Sequence, residues 1–462
     1  MPTLPESPAV APSPLAALIG RLHLYIGLFI GPFLLIAALS GVLYALTPQL
    51  EEHLYAQALH SEVRGPALSL ATQVRLARAY AGSEASVAAV RPASQPGDTT
   101  RVMFDAPPLG ASAHRAVFID PVAGQVRGDL PVYGTSGVLP LRTWIDQFHR
   151  GLLLGDVGRL YSELAASWLW VAAVGGLWLW WARRTARKGG AVRRWHATAG
   201  TWLSVGLLFF SATGLTWSQY AGDNIGVLRA HYGWSTPAVA TRLGEGAAPV
   251  ADEHAEHAEH HMGMHMPMPT PAVTLDEAAF DRVLATARAA GINAAKLEIR
   301  PSNSPTKAWV VSEIDRSWPT QVDAVAVDPH TLAVIDRVDF AAYSLPAKLT
   351  RWGIDAHMGS LFGLANQLAL ALFASGLVAM VVMGYWLWWR RRPALDYVHS
   401  PLHAWHQCGA PAKALILLVA LLLGVALPVL GASLVAFVLL DLLLAWRWAR
   451  VYGPRVTTQR SS

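Results

Sequence analysis

The chain reads W-I-D-Q-F-H-R-G-L-L-L-G over residues 144–155 and W-G-I-D-A-H-M-G-S-L-F-G over residues 352–363. Both contain H-x-G-x-x-x-G, at His149, Gly151 and Gly155 and again at His357, Gly359 and Gly363, and each leads into a long apolar stretch ending in tryptophans. Upstream of each stands a second matched pair: H-L-Y-I-G from His23 with a later Gly41, and H-A-T-A-G from His196 with a later Gly214. Between these landmarks each half carries a helix-like segment, 68–80 or 275–289, followed by strands of alternating apolar residues. The strands share a turn, V-F-I-D-P-V-A-G-Q-V ending at Val126 and V-A-V-D-P-H-T-L-A-V ending at Val334, with Asp-Pro opening it between β-branched runs. The unit is therefore span, small αβ domain, span, repeated once in the same orientation, which predicts a pseudo-twofold axis along the membrane normal.

Composition places that repeat in a bilayer. Of 462 residues, 15% are charged and 53% are apolar, against about 25% charged in ordinary globular proteins. Nineteen tryptophans suit the interface, where an amphipathic indole is favoured. Apolar stretches near 22–46, 161–182, 201–220 and 361–389 are each long enough to span, and 411–448 reads as a tight hairpin broken near Pro428, giving about six spans. The expected fold class is thus an all-α transmembrane helical bundle of two parallel repeats, with two small α+β domains outside it. The corresponding layout is a Pro-rich cytoplasmic segment 1–20, spans 21–48 and 151–182 around a first outer domain 49–150, and a basic loop 183–200. Spans 201–220 and 357–389 follow around a second outer domain 221–356, then a loop 390–410, the hairpin 411–449 and a tail 450–462. Arg183, Arg184, Arg187, Lys188, Arg193 and Arg194, and later Arg390, Arg391 and Arg392, place their loops in the cytoplasm; Arg447, Arg450, Arg455 and Arg460 place the tail there too. The N-terminus is then cytoplasmic, the first span an uncleaved anchor, and the two large connections periplasmic in a Gram-negative cell.

Several chemistries are excluded at this stage. Cys408 stands alone, so there is no internal disulfide, cysteine-ligated cluster, zinc ribbon or covalent haem attachment. The net charge of +5 sits in runs beside apolar segments, a topology signal and not a nucleic-acid surface. No G-x-G-x-x-G fingerprint stands at a strand–helix junction, so any dinucleotide or flavin donor is external.

The repeat turns four histidines into two pairs, His23 with His196 and His149 with His357, at opposite ends of the expected spans. A low-spin haem iron takes two axial donors from opposite faces, and neutral imidazole suits iron, so a non-covalent haem b between each pair is the chemistry this symmetry allows. Gly27 and Gly200, one turn after His23 and His196, give a macrocycle room on the same helix face. Arg142 and Arg351 are candidate partners for the propionates of the outer haem, Arg193 and Arg194 for those of the inner one, and Asp146 and Asp355 for the second imidazole nitrogen. Against this stands the plain reading of interfacial histidines at helix ends, and pairings through His403 or His406, two residues expected in a loop, remain open. Trp178, Trp180, Trp181, Trp386, Trp388 and Trp389 read as an interfacial belt. Asp441, inside an apolar stretch, is a functional candidate by default or a partner of Arg447. The arm His254, His257, His260, His261, Met262, Met264, His265, Met266 and Met268 carries the side chains that favour copper or zinc.

In order, H-L-Y-I-G with Ser40 and Gly41, H-R-G-L-L-L-G-D-V-G-R over 149–159 leading into a Trp-ended span, and the two αβ segments resemble the PepSY-associated transmembrane helix family, whose better-known members are bacterial inner-membrane ferric-siderophore reductases. The resemblance implies two PepSY-like outer domains and a haem-b protein that moves electrons outward to reduce ferric siderophore in the periplasm, with His23, His149, His196 and His357 as ligands. The donor it requires is a quinol, a cytoplasmic reductase or a small reductant. The His/Met arm and terminal hairpin are not part of that core pattern, and they leave copper reduction by the same path, or a non-enzymatic membrane-anchored binding role, as alternatives.

Overall fold

The computed structural model describes residues 13–110, 112–134, 136–182, 190–244, 275–391 and 401–452. In chain order the helices are α1 (Pro14–Tyr25), a π-helical turn (Ile26–Ile30), α2 (Gly31–Leu54), the short α3 (Ala56–Leu59) and α4 (Leu70–Ala81). Strands β1 (Val87–Arg91), β2 (Thr100–Asp105), β3 (Ala113–Ile119) and β4 (Val126–Tyr133) come next, then α5 (Pro140–Gly151), α6 (Gly155–Ala182), α7 (Ala191–Thr216) and α8 (Tyr220–His231). The second half repeats the pattern with α9 (Ala279–Ala289), β5 (Leu297–Arg300), β6 (Trp309–Glu313), β7 (Ala324–Val327), β8 (Val334–Val338), α10 (Leu345–His357) and α11 (Gly363–Arg391). The chain closes with α12 (Pro401–Gln407), α13 (Ala410–Ala426) and α14 (Pro428–Tyr452). It divides into a helical unit (13–41, 149–225 and 372–452 among the described residues) and a sheet unit (42–148 and 226–371).

In the sheet unit the two expected domains are one. Eight strands form a single antiparallel sheet in the order β4-β3-β2-β1-β5-β6-β7-β8, joined at the middle by β1 and β5. The joining pair is Val90 with Ile299, and each is followed by Arg-Pro, Arg91-Pro92 and Arg300-Pro301, so a residue meets its own repeat equivalent there. Pairing removes the edge that each four-stranded half would otherwise present. One face is covered by α4 and α9, whose Leu70, Val74 and Ala77, and Phe280, Val283 and Ala287, recur at helical spacing and bury against Val90, Val102, Phe104, Val117, Ile299, Trp309 and Val325. The halves are also tied polar to polar: Asp281 of α9 accepts from the backbone N–H of Leu70 and Ala71 at 2.7 and 2.9 Å, satisfying the first turn of α4. The repeated Asp-Pro turns form as expected, with Asp120 accepting from the N–H of Val122 and Ala123 and Asp328 from that of His330.

Among the described residues five helical stretches are long and apolar enough to cross a membrane: 14–54, 155–182, 191–216, 363–390 and 428–447. The first arm of the predicted hairpin, α13, is an apolar helix of 17 residues, at the lower limit for a span. The hairpin itself forms, turning at Leu427 with Gly424 and Gly431 in contact, a closeness only small residues permit. Small residues also set the packing elsewhere: a Cβ on Gly206 would run into the Phe373 ring, and one on Gly376 would stand 2.7 Å from Leu203, so α7 and α11 interlock side chain into glycine. Trp168, fully buried, donates from Nε1 to Ser433 Oγ at 2.8 Å, fixing α6 to α14. Glu163, also fully buried, is a cap, accepting from the N–H of Tyr220 and Ala221 at the start of α8.

Candidate functional site

Helix α1 carries His23 and helix α7 carries His196, and their imidazole rings lie 6.5 Å apart between centroids and cross at 85°. Two imidazoles on opposite faces of one metal ion, at about 2.0 Å per metal–nitrogen bond, put their centroids roughly 6 Å apart. An edge-to-face ring pair has a similar spacing. What distinguishes this pair is its backing. A Cβ on Gly176 of α6 would stand 3.2 Å from Cε1 of His23, and a Cβ on Gly384 of α11 would stand 3.8 Å from Cε1 of His196. The two glycines are repeat equivalents, each 27 residues beyond the histidine of its H-x-G motif (176 − 149 = 384 − 357 = 27). Each ring is thus held by its Cε1 edge against a bare stretch of helix backbone. Nδ1 of His196 is buried beside the Met380 backbone and makes no hydrogen bond of ordinary length.

The predicted glycines differ in what they leave open. Nothing lies within 4 Å of where a Cβ of Gly27 would stand, whereas at Gly200 the flexible end of Met380 would be 2.8 Å away. Gly27 sits in the π-helical turn Ile26–Ile30, directly after the His23-bearing helix α1. Such single-turn insertions re-aim the residues on either side of them.

His149 ends α5 and is oriented by the first span. Its Nδ1 is 2.9 Å from Ser40 Oγ, and the Ser40 hydroxyl donates its one proton to the Ile36 carbonyl at 2.7 Å. Ser40 then accepts from Nδ1–H, an assignment that leaves Nε2 with the bare lone pair a metal requires. Gly41 makes room for the ring, since a Cβ there would stand 3.5 Å from Cε1, and Tyr161 donates to the His149 carbonyl at 2.9 Å. Burial pushes the imidazole below its ordinary value, against a smaller opposing effect of the Ala37 backbone, so it is neutral at pH 7.

His357 ends α10 in the sheet unit and is half-buried. Asp355 accepts from Arg351 Nε at 3.1 Å and faces Arg316 Nη1 at 3.9 Å, while fully buried. Arg142 lies 4.5 Å over the Tyr44 ring, donates from Nη2 to the Met358 carbonyl at 3.3 Å and from its backbone N–H to Glu51 at 2.9 Å. Arg316 Nη1 reaches Met358 Sδ at 3.6 Å, so Arg142 and Arg316 converge on the residue after His357. Sequence reasoning passed over Arg316, Gly176 and Gly384; the even spacing of the glycines from the H-x-G motifs was the available signal for two of them.

The remaining candidates fall as follows. Arg193 is half-buried and Arg194 exposed in the first turn of α7. His403 and His406 lie on helix α12 and not in a loop, with His403 Nε2 2.9 Å from Gln407 Nε2. Trp180, Trp181, Trp386 and Trp389 are exposed, as an interfacial belt requires. Asp441 binds Tyr25 and the Leu402 N–H, not Arg447. The arm from His254 to Met268 and the basic residues Arg183, Arg184, Arg187, Lys188 and Arg392 lie outside the described residues. Among the described residues no cluster of three or more His, Cys, Asp or Glu is arranged to hold a bare metal ion.

The family model of the PepSY-associated TM region matches residues 20–391, and the chain belongs to that family. No curated protein matches the chain. The match runs from α1 through α11 and ends before α12, α13 and α14.

Proposed function

We propose that this multi-pass membrane protein is a two-haem b reductase that carries electrons from the cytoplasmic side of a bacterial inner membrane to the periplasm, where it reduces ferric siderophore and frees ferrous iron. The observation that carries this reading is the His23–His196 pair, two rings at a bis-axial separation, each seated on a repeat-equivalent glycine. Haem bound there supplies one-electron transfer. The chain's own residues supply paired imidazoles, room on α1 at Gly27, and for a second centre His149 with its lone pair aimed by Ser40. Arg142 and Arg351 carry guanidinium groups, which suit propionates.

The single sheet supports an orientation in which both large connections lie on the same side of the membrane, and the basic runs favour the periplasm for that side and the cytoplasm for the N-terminus. Siderophores hold ferric iron through hard oxygen donors, and one electron, Fe(III) to Fe(II), weakens that hold. With the inside negative, an electron moved outward gains about 2.3 kcal/mol per 100 mV if it crosses the whole field. The donor is external: a quinol, a cytoplasmic reductase or a small reductant.

The purified, dithionite-reduced protein is expected to show a b-type haem spectrum and to be reoxidised by ferric siderophore. A full-length protein and one lacking residues 254–268, each challenged with ferric siderophore and with Cu(II), separate iron from copper; faster reoxidation by Cu(II) that depends on the arm would move the substrate to copper. No haem after expression with adequate haem supply would overturn the reading in favour of a membrane-anchored binding protein.

A further inference from the structure

Asp441 is 4% exposed within the apolar helix α14, where a carboxylate is expensive unless it is engaged. One of its oxygens accepts from the Tyr25 hydroxyl at 3.1 Å and the other from the backbone N–H of Leu402 at 2.8 Å. The carboxylate is therefore held at both ends, between α1 and the start of α12, and α12 itself packs along α1. Tyr25 is buried and stands two residues after His23. On a helix of 3.6 residues per turn that places the two side chains about 200° apart around the axis. Whatever holds Tyr25 on one side of α1 thereby sets where His23 points on the other.

The need for such an anchor is visible in the backbone. Immediately after Tyr25 the helix passes through the π-helical turn Ile26–Ile30, and only from Gly31 does the regular ladder resume in α2. An inserted turn of this kind breaks the rotational register between the helix before it and the helix after it. The packing of α2 alone therefore does not fix the rotation of α1, which is set by what α1 itself touches: α6, α12 and, through Tyr25, Asp441. The Asp441 tie comes from a part of the chain beyond residue 391, where the family match ends.

We infer that Asp441 is a positioning residue for His23: acting through Tyr25, it fixes the rotation of α1 at which His23 faces His196. The terminal hairpin is then part of the haem site without touching it. The inference rests on the function proposed above for its relation to haem, but the clamp itself is a property of the protein alone.

The test uses the full chain with Asp441→Leu, Tyr25→Phe and Asp441→Asn. Two quantities are read: amide exchange over residues 19–31, and the reduction potential and α-band of the bound haem. Leu and Phe remove the hydroxyl–carboxylate bond, and exchange over this segment is expected to rise about tenfold, the value of one hydrogen bond to a charged group. The haem α-band broadens and one of the two potentials moves while the other stays. Asp441→Asn keeps an oxygen for Tyr25 and is expected to retain most of the exchange protection. Unchanged exchange in both Asp441→Leu and Tyr25→Phe overturns the clamp. Faster exchange with an unchanged spectrum and unchanged potentials overturns its link to His23 and leaves the hairpin a stabilising element. If the wild-type protein binds no haem, the proposed function fails, and the exchange result alone decides whether Asp441 clamps α1.

Discussion

The two halves of the chain meet at the seam of the sheet and again at the histidine pair, and they meet differently. At the seam Val90 faces Ile299, but the charges beside them are unlike: Glu298 accepts from Arg91 and from Arg300, each at 2.6 Å, while the position equivalent to Glu298 is Ala89. At the other meeting point the facing residues are identical, His23 and His196, and so are the glycines behind them. A structural seam needs only complementary partners, and a duplicated sequence gains complementarity by letting one copy drift. Under the proposed function the two histidines share one haem, and a bis-imidazole site keeps the copies alike.

The largest effect expected from that contrast is at the identical pair. If His23 and His196 share a haem as proposed, His23→Ala or His196→Ala is expected to abolish one haem of the spectrum while sparing the other. Retention of both haems in both variants would break the comparison at its root. At the seam, Glu298→Ala leaves Arg91 and Arg300 without their shared carboxylate. Glu298 is 3% exposed while Arg91 keeps 13% and Arg300 49%, so the expected loss is about 3 kcal/mol, the low end for breaking a buried pair, with the haem spectrum unchanged. The seam also carries a pH signature. Burial raises the Glu298 carboxyl, but Arg91 and then Arg300 outweigh it and hold the group below its ordinary 4.5. A carboxyl depressed on folding contributes stability above its unfolded value and loses it as pH falls through the folded one. Thermal melts are thus expected to decline below about pH 4.5 in the wild type, and to decline less steeply in Glu298→Gln.

A smaller effect is expected at His149, whose ring is oriented by Ser40. Ser40→Ala frees Nδ1 of its acceptor and with it the tautomer that leaves Nε2 bare; loss of such an orienting partner typically costs 10–100-fold in metal affinity. The measurement is haem retention on titration with a competing apo-haem protein, and retention equal to wild type would show that the Ala37 backbone alone orients the ring.

How much of this was readable in advance depends on the range of the interaction. The repeat, the helix and strand segments and the four histidines were legible because period, turn chemistry and motif are local properties of sequence. The single sheet was not, since β1 and β5 join through Val90 and Ile299, and alternation tells a strand which face is apolar without saying which edge finds a partner. Asp441 was legible as unusual, because a lone carboxylate in an apolar run is costly wherever it points. Its partners were not: Tyr25 lies 416 residues away in the chain, and the nearby Arg447 was the only local candidate. Gly176 and Gly384 disappeared into spans where glycine is common.

Those glycines provide the finest test of the likeness between the halves, because the likeness stops short of identity. A methyl group at Gly384 would stand 3.8 Å from Cε1 of His196, an ordinary contact, whereas one at Gly176 would stand 3.2 Å from Cε1 of His23, tighter than packed carbon atoms accept without movement. His23 can yield only by turning about its own side chain or by rotating α1, and α1 is tied on its far side through Tyr25. Gly384→Ala is therefore expected to leave both haem potentials and the α-band at their wild-type values, and to stabilise α11 slightly by replacing a helical glycine, by about 0.5–1 kcal/mol. Gly176→Ala gains the same helix propensity but spends it on displacing the His23 ring, so its melting temperature stays near wild type while one potential shifts. Equal spectra in the two variants would mean that the rings have freedom the close contact denies them, and that the glycines serve helix packing alone. A shift in Gly384→Ala but not in Gly176→Ala would reverse the asymmetry and make α7, not α1, the constrained arm of the pair.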